Sequence, residues 1–363
     1  MRQFALALLA CALAVPVPAA LNLTQTNLVT NNPAAHPATI TDASLVNPWG
    51  VSFSPTTPFW VSDNGANVAT LYQVDPATQA PTKNGLTVAV QGSGVTGQVF
   101  NTGAAAGAFN GDNFLFVNED GTISGWRAAL GTNTERFQVA STANVYKGAA
   151  IASIGPNTYL YAANFKTGTI DVLKGTTGIP DITGHFTDPN LPAGFAPFNI
   201  QNLAGKLYVA YAHINPPGID ELPGPGLGIV DAFDTNGNIL SRVATQGTLN
   251  APWGLAIAPP SFTGFAGDLL VGNFGDGRIN AYNLATNTFV AQLNGANGLP
   301  LTIDGLWALT PGNDSSAGST NALYFTAGPD TESNGLLGVL TVPEPACLLI
   351  LAAPLLLCRR RRT

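Results

Sequence analysis

The tripeptide Pro48-Trp49-Gly50 returns almost letter for letter as Pro252-Trp253-Gly254, and that recurrence restricts the chain to folds built from repeats. A weaker copy is centred on Trp307-Ala308, and degenerate ones on Thr96-Gly97, Lys147-Gly148 and Phe198-Asn199. The six anchors lie 47, 51, 51, 55 and 54 residues apart. Each is followed by the same grammar: an opening strand, a strongly apolar second strand, a turn rich in Gly, Asn and Asp, and a third strand. In the third unit these strands are expected at 148–153, 158–163 and 169–173. They are separated by Gly155-Pro156-Asn157 and Lys166-Thr167-Gly168, where the period-2 apolar pattern stops as hairpin chemistry requires.

Units of about 50 residues that cannot bury both faces alone predict radial stacking. The expected fold is all-β, a six-bladed, NHL-like β-propeller with four strands per blade. The sixth unit runs out before a fourth strand, and the stretch Leu-Thr-Gln-Thr-Asn-Leu-Val-Thr at 23–30 has strand composition. It is therefore expected to pair there and close the ring. The fourth unit carries a Pro-rich insertion at 215–226, expected as an ordered surface loop.

Composition agrees with short strands and tight turns: 40 Gly, 27 Pro and only 10% charged residues. The formal net charge of −7 gives no basic stripe for phosphates, which argues against a nucleic-acid partner. The three cysteines, Cys11, Cys347 and Cys358, all fall near the ends, so the repeat region has no thiol nucleophile or thiolate metal site.

The two ends read as addresses. Residues 1–20 combine one Arg, an apolar run from Phe4 to Val15 and small residues at the end, the pattern of a secretory signal. The apolar run is too short for a permanent span. At the other end, 342–363, Val342-Pro343-Glu344-Pro345 precedes a short, mostly apolar helix-forming stretch and the cluster Arg359-Arg360-Arg361-Arg362. Four arginines resist translocation and fix orientation, so the segment is expected to insert transiently in the inner membrane.

Pro343, Glu344, Pro345, the apolar stretch and Arg359 to Arg362 together resemble the PEP-CTERM sorting signal. That resemblance implies processing by an exosortase and delivery across the inner membrane to the cell surface or the extracellular matrix. The mature region, 21–341, resembles a bacterial family of uncharacterised six-bladed propellers with such tails. The resemblance runs through Leu45-Val46-Asn47-Pro48-Trp49-Gly50, Phe59-Trp60-Val61-Ser62-Asp63-Asn64-Gly65 and Glu119-Asp120-Gly121-Thr122-Ile123-Ser124-Gly125-Trp126. It implies the propeller and no activity.

Alignment of the units picks out two rings. The first is the anchor itself: Trp49, Thr96, Lys147, Phe198, Trp253 and Trp307. Its tryptophans belong to blades 5, 6 and 1, consecutive around a closed ring, and an arc of indoles at a channel mouth suits the C–H face of a sugar. The other reading makes each Trp a wedge that fills volume beside the following Gly. The second ring ends each second strand: Asp63, Asn118, Asn164, Tyr211, Asn273 and Ala327. Asp63, Asn118, Asn164 and Asn273 are candidate ligands for calcium, with Glu119 or Asp304 as further carboxylates. Alternatively they satisfy backbone groups at the strand-to-turn transition.

Of the three histidines only His213 is placed to approach the channel, and no Ser lies in a nucleophile elbow. The function expected is a non-catalytic binding module for carbohydrate, such as exopolysaccharide, or for a surface protein. The alternative is a calcium-dependent hydrolase or lyase built on the Asp/Asn ring.

Overall fold

The computed structural model describes residues 21–343, which form six sheets around one axis, antiparallel except for two short strands that pair in parallel with the N-terminal strand. The proposed secretory segment and the sorting-signal residues Glu344, Pro345 and Arg359 to Arg362, with the expected apolar helix, lie outside the described residues. Among the described residues no helix is long and apolar enough to cross a membrane.

Blade 1 runs from the axis outward as Pro48–Ser52, Phe59–Asp63, Val68–Val74 and Pro81–Ala89. The inner strands of blades 2 to 6 are Val95–Phe100, Tyr146–Ile154, Phe195–Leu203, Pro252–Ile257 and Leu306–Pro311. Each inner strand packs against its two neighbours, and the sixth packs on the first, so the ring is closed. Closure is completed at the outside by the N-terminal strand Asn22–Thr30, antiparallel to Leu336–Thr341, as the strand composition of 23–30 predicts.

Blade 3 departs from the expected four strands. It ends at Thr169–Lys174, and 175–194 leaves the sheet. That stretch contains Pro180, Pro189 and Pro192, which cannot donate to a ladder. Its apolar residues are used differently: Ile179, Ile182, Phe186 and Leu191 pack onto the core shared by blades 3 and 4. Gly184 and Phe186 donate their N–H groups to Asn236 O and Gly237 O on the outer hairpin of blade 4. Aromatic pairs fill the other gaps between blades. Trp60 stacks on Phe114 between blades 1 and 2, with centroids 4.1 Å apart, and Phe59 meets Tyr324 at 4.8 Å between blades 1 and 6.

One irregularity recurs in all six blades. The pairing of the inner strand with the second strand slips at or beside the anchor, between Pro48 and Val51, Val95 and Gln98, Tyr146 and Gly148, Pro197 and Asn199, Pro252 and Gly254, and Leu306 and Leu309. A bulge breaks strict alternation. The anchor side chain can then face the axis while the residue three positions later lines it too.

The glycine after the anchor is required by close approach. A Cβ on Gly50 would sit 2.6 Å from Thr96 O, one on Gly97 2.5 Å from Ala149 N, and one on Gly254 2.6 Å from Trp307 O. In each case the obstacle is the backbone of the next inner strand, which cannot move aside without opening the ring. Gly97→Ala should therefore cost about 1–3 kcal/mol in urea denaturation. Gly85→Ala, where a Cβ meets nothing within 4 Å, should be close to neutral.

Candidate functional site

The anchor side chains meet on the axis. Trp49 and Trp307 stack with centroids 3.6 Å apart, Trp253 stands edge-on to both at 6.2 and 5.8 Å, and Phe198 completes the group at 6.3 Å from Trp49. Phe274 stacks on the opposite face of Trp307 at 4.1 Å. Trp49, Thr96, Phe198, Trp253 and Trp307 are all buried. They are neither wedges between adjacent blades nor an open platform at a mouth: they plug the channel, and their faces are occupied by one another.

Most polar edges of the plug are tied to the strands around it, but Trp49 Nε1 is buried without a partner. Trp253 Nε1 donates to Lys147 O across the axis at 2.9 Å, Asn199 Nδ2 to Trp253 O at 2.8 Å, and Thr326 Oγ1 to Trp49 O at 2.6 Å.

Lys147 occupies the anchor position in blade 3, and only 1% of it is exposed. Its ammonium lies over Trp49, 5.1 Å from the ring centroid, and emerges at the mouth where the inner strands begin. There it donates to Glu119 Oε1 at 2.7 Å and Asp220 Oδ1 at 2.9 Å. Burial alone would lower its pKa, but Glu119, Glu221 and Asp220 more than offset this and hold it above the ordinary lysine value.

Asp220 and Glu221 come from the Pro-rich insertion of blade 4, whose short strand Asp220–Glu221 pairs with Ile214 and Asn215. The insertion thus reaches the axis and covers part of this mouth. Glu332, from blade 6, accepts from Asn47 Nδ2 at 2.6 Å, and Asn47 Oδ1 accepts Trp307 Nε1 at 2.9 Å. Desolvation pushes the Glu221 carboxyl up to about 7 against the pull of Lys147, with Asp220 and Glu332 adding to the rise.

The Asp/Asn ring is committed locally. Asp63 Oδ2 accepts Thr70 Oγ1 of its own blade at 2.7 Å. Asn164 donates to Asn144 Oδ1 and Asp171 Oδ2, and accepts from Val145 N. Asn273 donates to Thr248 O and Asp276 Oδ1, while Asn118 reaches Asn67 Oδ1 at 3.4 Å. One oxygen each of Asp63, Asn118 and Asn273 is buried without a partner. Burial raises the Asp63 pKa well above the usual carboxylate range. Among the described residues no group of three or more His, Cys, Asp or Glu is arranged to hold a metal ion. With one carboxylate, which burial makes harder to ionise, and Asn164 fully engaged, the set fits a hard cation poorly. Asp304 instead accepts the Asp330 N–H, and His213 packs edge-on to Phe195.

Beyond the plug, where the inner strands end, the opposite mouth opens into a cavity of about 350 Å³. Its wall includes Ser52, Val99, Ala150, Gln201 and Thr310, each three residues after an anchor, together with Gln98, Phe53 and Phe100. No charged side chain lines it. Neither Gln98 nor Gln201 carries a motif. The signal that would have found this wall is the repeat alignment read three positions on, once the bulge is known.

No family model matches this sequence. Uncharacterized protein R648 of Acanthamoeba polyphaga mimivirus is 30% identical over 327 residues, covering 86% of this chain and 78% of the viral protein. Uncharacterized protein L690 of the same virus is 30% identical over 316 residues, covering 82% of this chain and 81% of its own length. These relatives are viral, where the motif resemblance leads one to expect bacterial proteins. A crystal structure of glucose dehydrogenase superimposes with a TM-score of 0.50 at 12% identity, covering 87% of this chain and 99% of that one, a likeness of fold.

The carboxyls of Glu221 and Asp231 are raised to about 7 and that of Asp112 to about 6, in each case chiefly by burial. A native state that holds these protons more tightly than the unfolded chain loses stability as pH rises from the ordinary carboxylate range through those values. Melting temperature should fall between pH 5.5 and pH 8. Glu221→Gln should flatten that decline in a thermal melt series.

Proposed function

The chain belongs to the family of uncharacterized protein R648 of Acanthamoeba polyphaga mimivirus, a membership that names no activity, and from the geometry of its axis we propose that it is a non-catalytic binding propeller. Its ligand is a carbohydrate or a protein component of the cell surface or extracellular matrix. The observation that carries this reading is the closed axis. The residues that repeat symmetry brings to the centre are spent on packing one another, and the side-chain donors of the polar ring around them are spent on nearby strands and loops. What remains for ligands is two blind mouths and the loops around them.

Export is supported by the sequence of 1–20, and delivery to the surface by Pro343, Glu344, Pro345 and Arg359 to Arg362. In this reading an exosortase removes the tail of a bacterial protein after transient insertion in the inner membrane. Neither mouth is basic, which agrees with a partner other than nucleic acid.

A second reading keeps one specific support: the unpartnered oxygens of Asp63, Asn118 and Asn273. In that reading calcium bound at one or more of them would serve a metal-dependent hydrolase or lyase. The two readings differ in a thermal melt of the purified protein. The binding reading expects millimolar calcium and EDTA to leave the melting temperature unchanged. It also expects Asp63→Asn to be neutral or stabilising at pH 8, since it removes a buried group that resists ionisation. A calcium-dependent rise of several degrees that Asp63→Asn abolishes would favour the enzyme instead.

A further inference from the structure

The outermost strand of blade 6, Asn22–Thr30, has two edges, and only one of them is taken along its length. Leu336–Thr341 pairs with it antiparallel from Thr24 to Thr30. On the opposite edge Ile40–Thr41 runs parallel to Val29 and Thr30, and at the far end Asn294–Gly295 pairs in parallel with Asn22 and Leu23. Between those two short strands, residues 24–28 have no second partner strand among the described residues, and no main-chain hydrogen bond leads from them away from the sheet. Alternate residues of a strand turn N–H and C=O to opposite edges, so this stretch presents unpaired donors and acceptors. Gln25 and Thr26, at its middle, are exposed.

Two cavities show that the edge is walled, not flat. One of about 490 Å³ lies between Leu23, Thr24 and Gln25 and the connection 295–302, with Ala296 and Pro300 in its wall. The other, of about 510 Å³, lies between Gln25, Thr26 and Asn27 and the lead 37–39. In each the strand contributes three consecutive residues, and Leu336–Thr341 contributes none. A space over one face of the sheet would be lined by alternate residues, so both spaces lie along the edge, and they meet at Gln25.

Other outer strands carry the charges that discourage strand addition: Lys83 in blade 1, Glu135 and Arg136 in blade 2, Arg242 in blade 4. Asn22–Thr30 has neither a charge nor a proline. Thr288–Gln292 of blade 5 is also uncharged, but among the described residues no further strand pairs with it, whereas Asn22–Thr30 already accepts two.

We propose that this edge takes a short extended segment of a partner polypeptide as an added strand, its main chain bonding residues 24–27 and its side chains entering the two cavities. The main chain selects the partner class: amide N–H and C=O groups at strand spacing are matched in register by another extended polypeptide. The inference rests on the binding reading above, deepens its protein branch, and moves the contact from the mouths of the axis to the rim.

The test uses the full-length protein and a phage-displayed library of random linear peptides. The best binder is titrated against the wild-type protein and against a variant combining Ala296→Trp with Thr39→Trp, two exposed wall positions where an indole fills the cavities and leaves the core alone. The expected result is binding weaker by about tenfold or more in the variant, with an unchanged melting temperature. Amides among 24–27 that exchange fast in the free protein should slow when the peptide is bound. N-methylation of alternate peptide residues should abolish binding while the intervening positions tolerate it, because strand addition uses every second amide. A library that yields no binder would overturn the site, as would a binder that the variant leaves intact or that tolerates N-methylation throughout. Uniformly slow exchange across 24–27 before any peptide is added would put a segment of the same chain on the edge and overturn it too. The N-methyl series needs no altered protein, so it decides the question even where the variant fails to fold. None of these failures touches the broader binding reading, which the calcium experiment judges independently of the rim.

Discussion

Backbone-to-backbone contact between neighbouring inner strands is the constraint on which the rest of this molecule depends. Gly50, Gly97, Gly148 and Gly254 each stand where any Cβ would strike the next strand. Asn199 takes the equivalent place in blade 4 and turns the same closeness to use, its Nδ2 bonding Trp253 O in blade 5. Strands held this tightly bring the inner-strand side chains of opposite blades within contact of one another on the axis. The channel must then be filled, and the residue just before each glycine is the one in position to fill it.

Filling requires side chains that point inward, and a regular strand would present only every second residue. The bulge at each anchor changes that accounting. It lets Trp49, Phe198, Trp253 and Trp307 enter the plug while Ser52, Gln201 and Thr310, three positions further on, line the mouth below it. One local irregularity, repeated six times, therefore produces both the hydrophobic centre and the polar cavity, and places them on a common axis.

Much of the fold was legible because repeats report themselves. The spacing of the anchors counts the blades, and the strand composition of 23–30 foretells the closing pair Thr26 with Val339. Blade 3 was read with one strand too many because three prolines in 175–194 were outweighed by the symmetry of the other units. The site was less legible. Alignment correctly drew Trp49, Phe198, Trp253 and Trp307 together, yet it could not say whether six inward side chains leave a hole, since that turns on how closely the inner strands approach one another. Asp220, Glu221 and Glu332 escaped it for another reason: they come from connections between the second and third strands that are lengthened only in blades 4 and 6, so no repeat points to them.

Lys147 explains why the two mouths differ. It stands where four other blades place Trp or Phe, and its aliphatic stem serves as a fifth packing element over Trp49. Its ammonium cannot stay in the plug unpaired, so carboxylates must come to it, Glu119 from blade 2 and Asp220 from the insertion. That demand draws the Pro-rich loop across the mouth where the inner strands begin, and Glu221 and Glu332 there resist ionisation, chiefly through burial and secondarily through the neighbouring carboxylates. The other end of the axis holds no buried charge and so recruits no cover. Its cavity stays neutral and open for the same reason that the first mouth is acidic and strapped: a single lysine in a ring otherwise made of aromatics and one threonine.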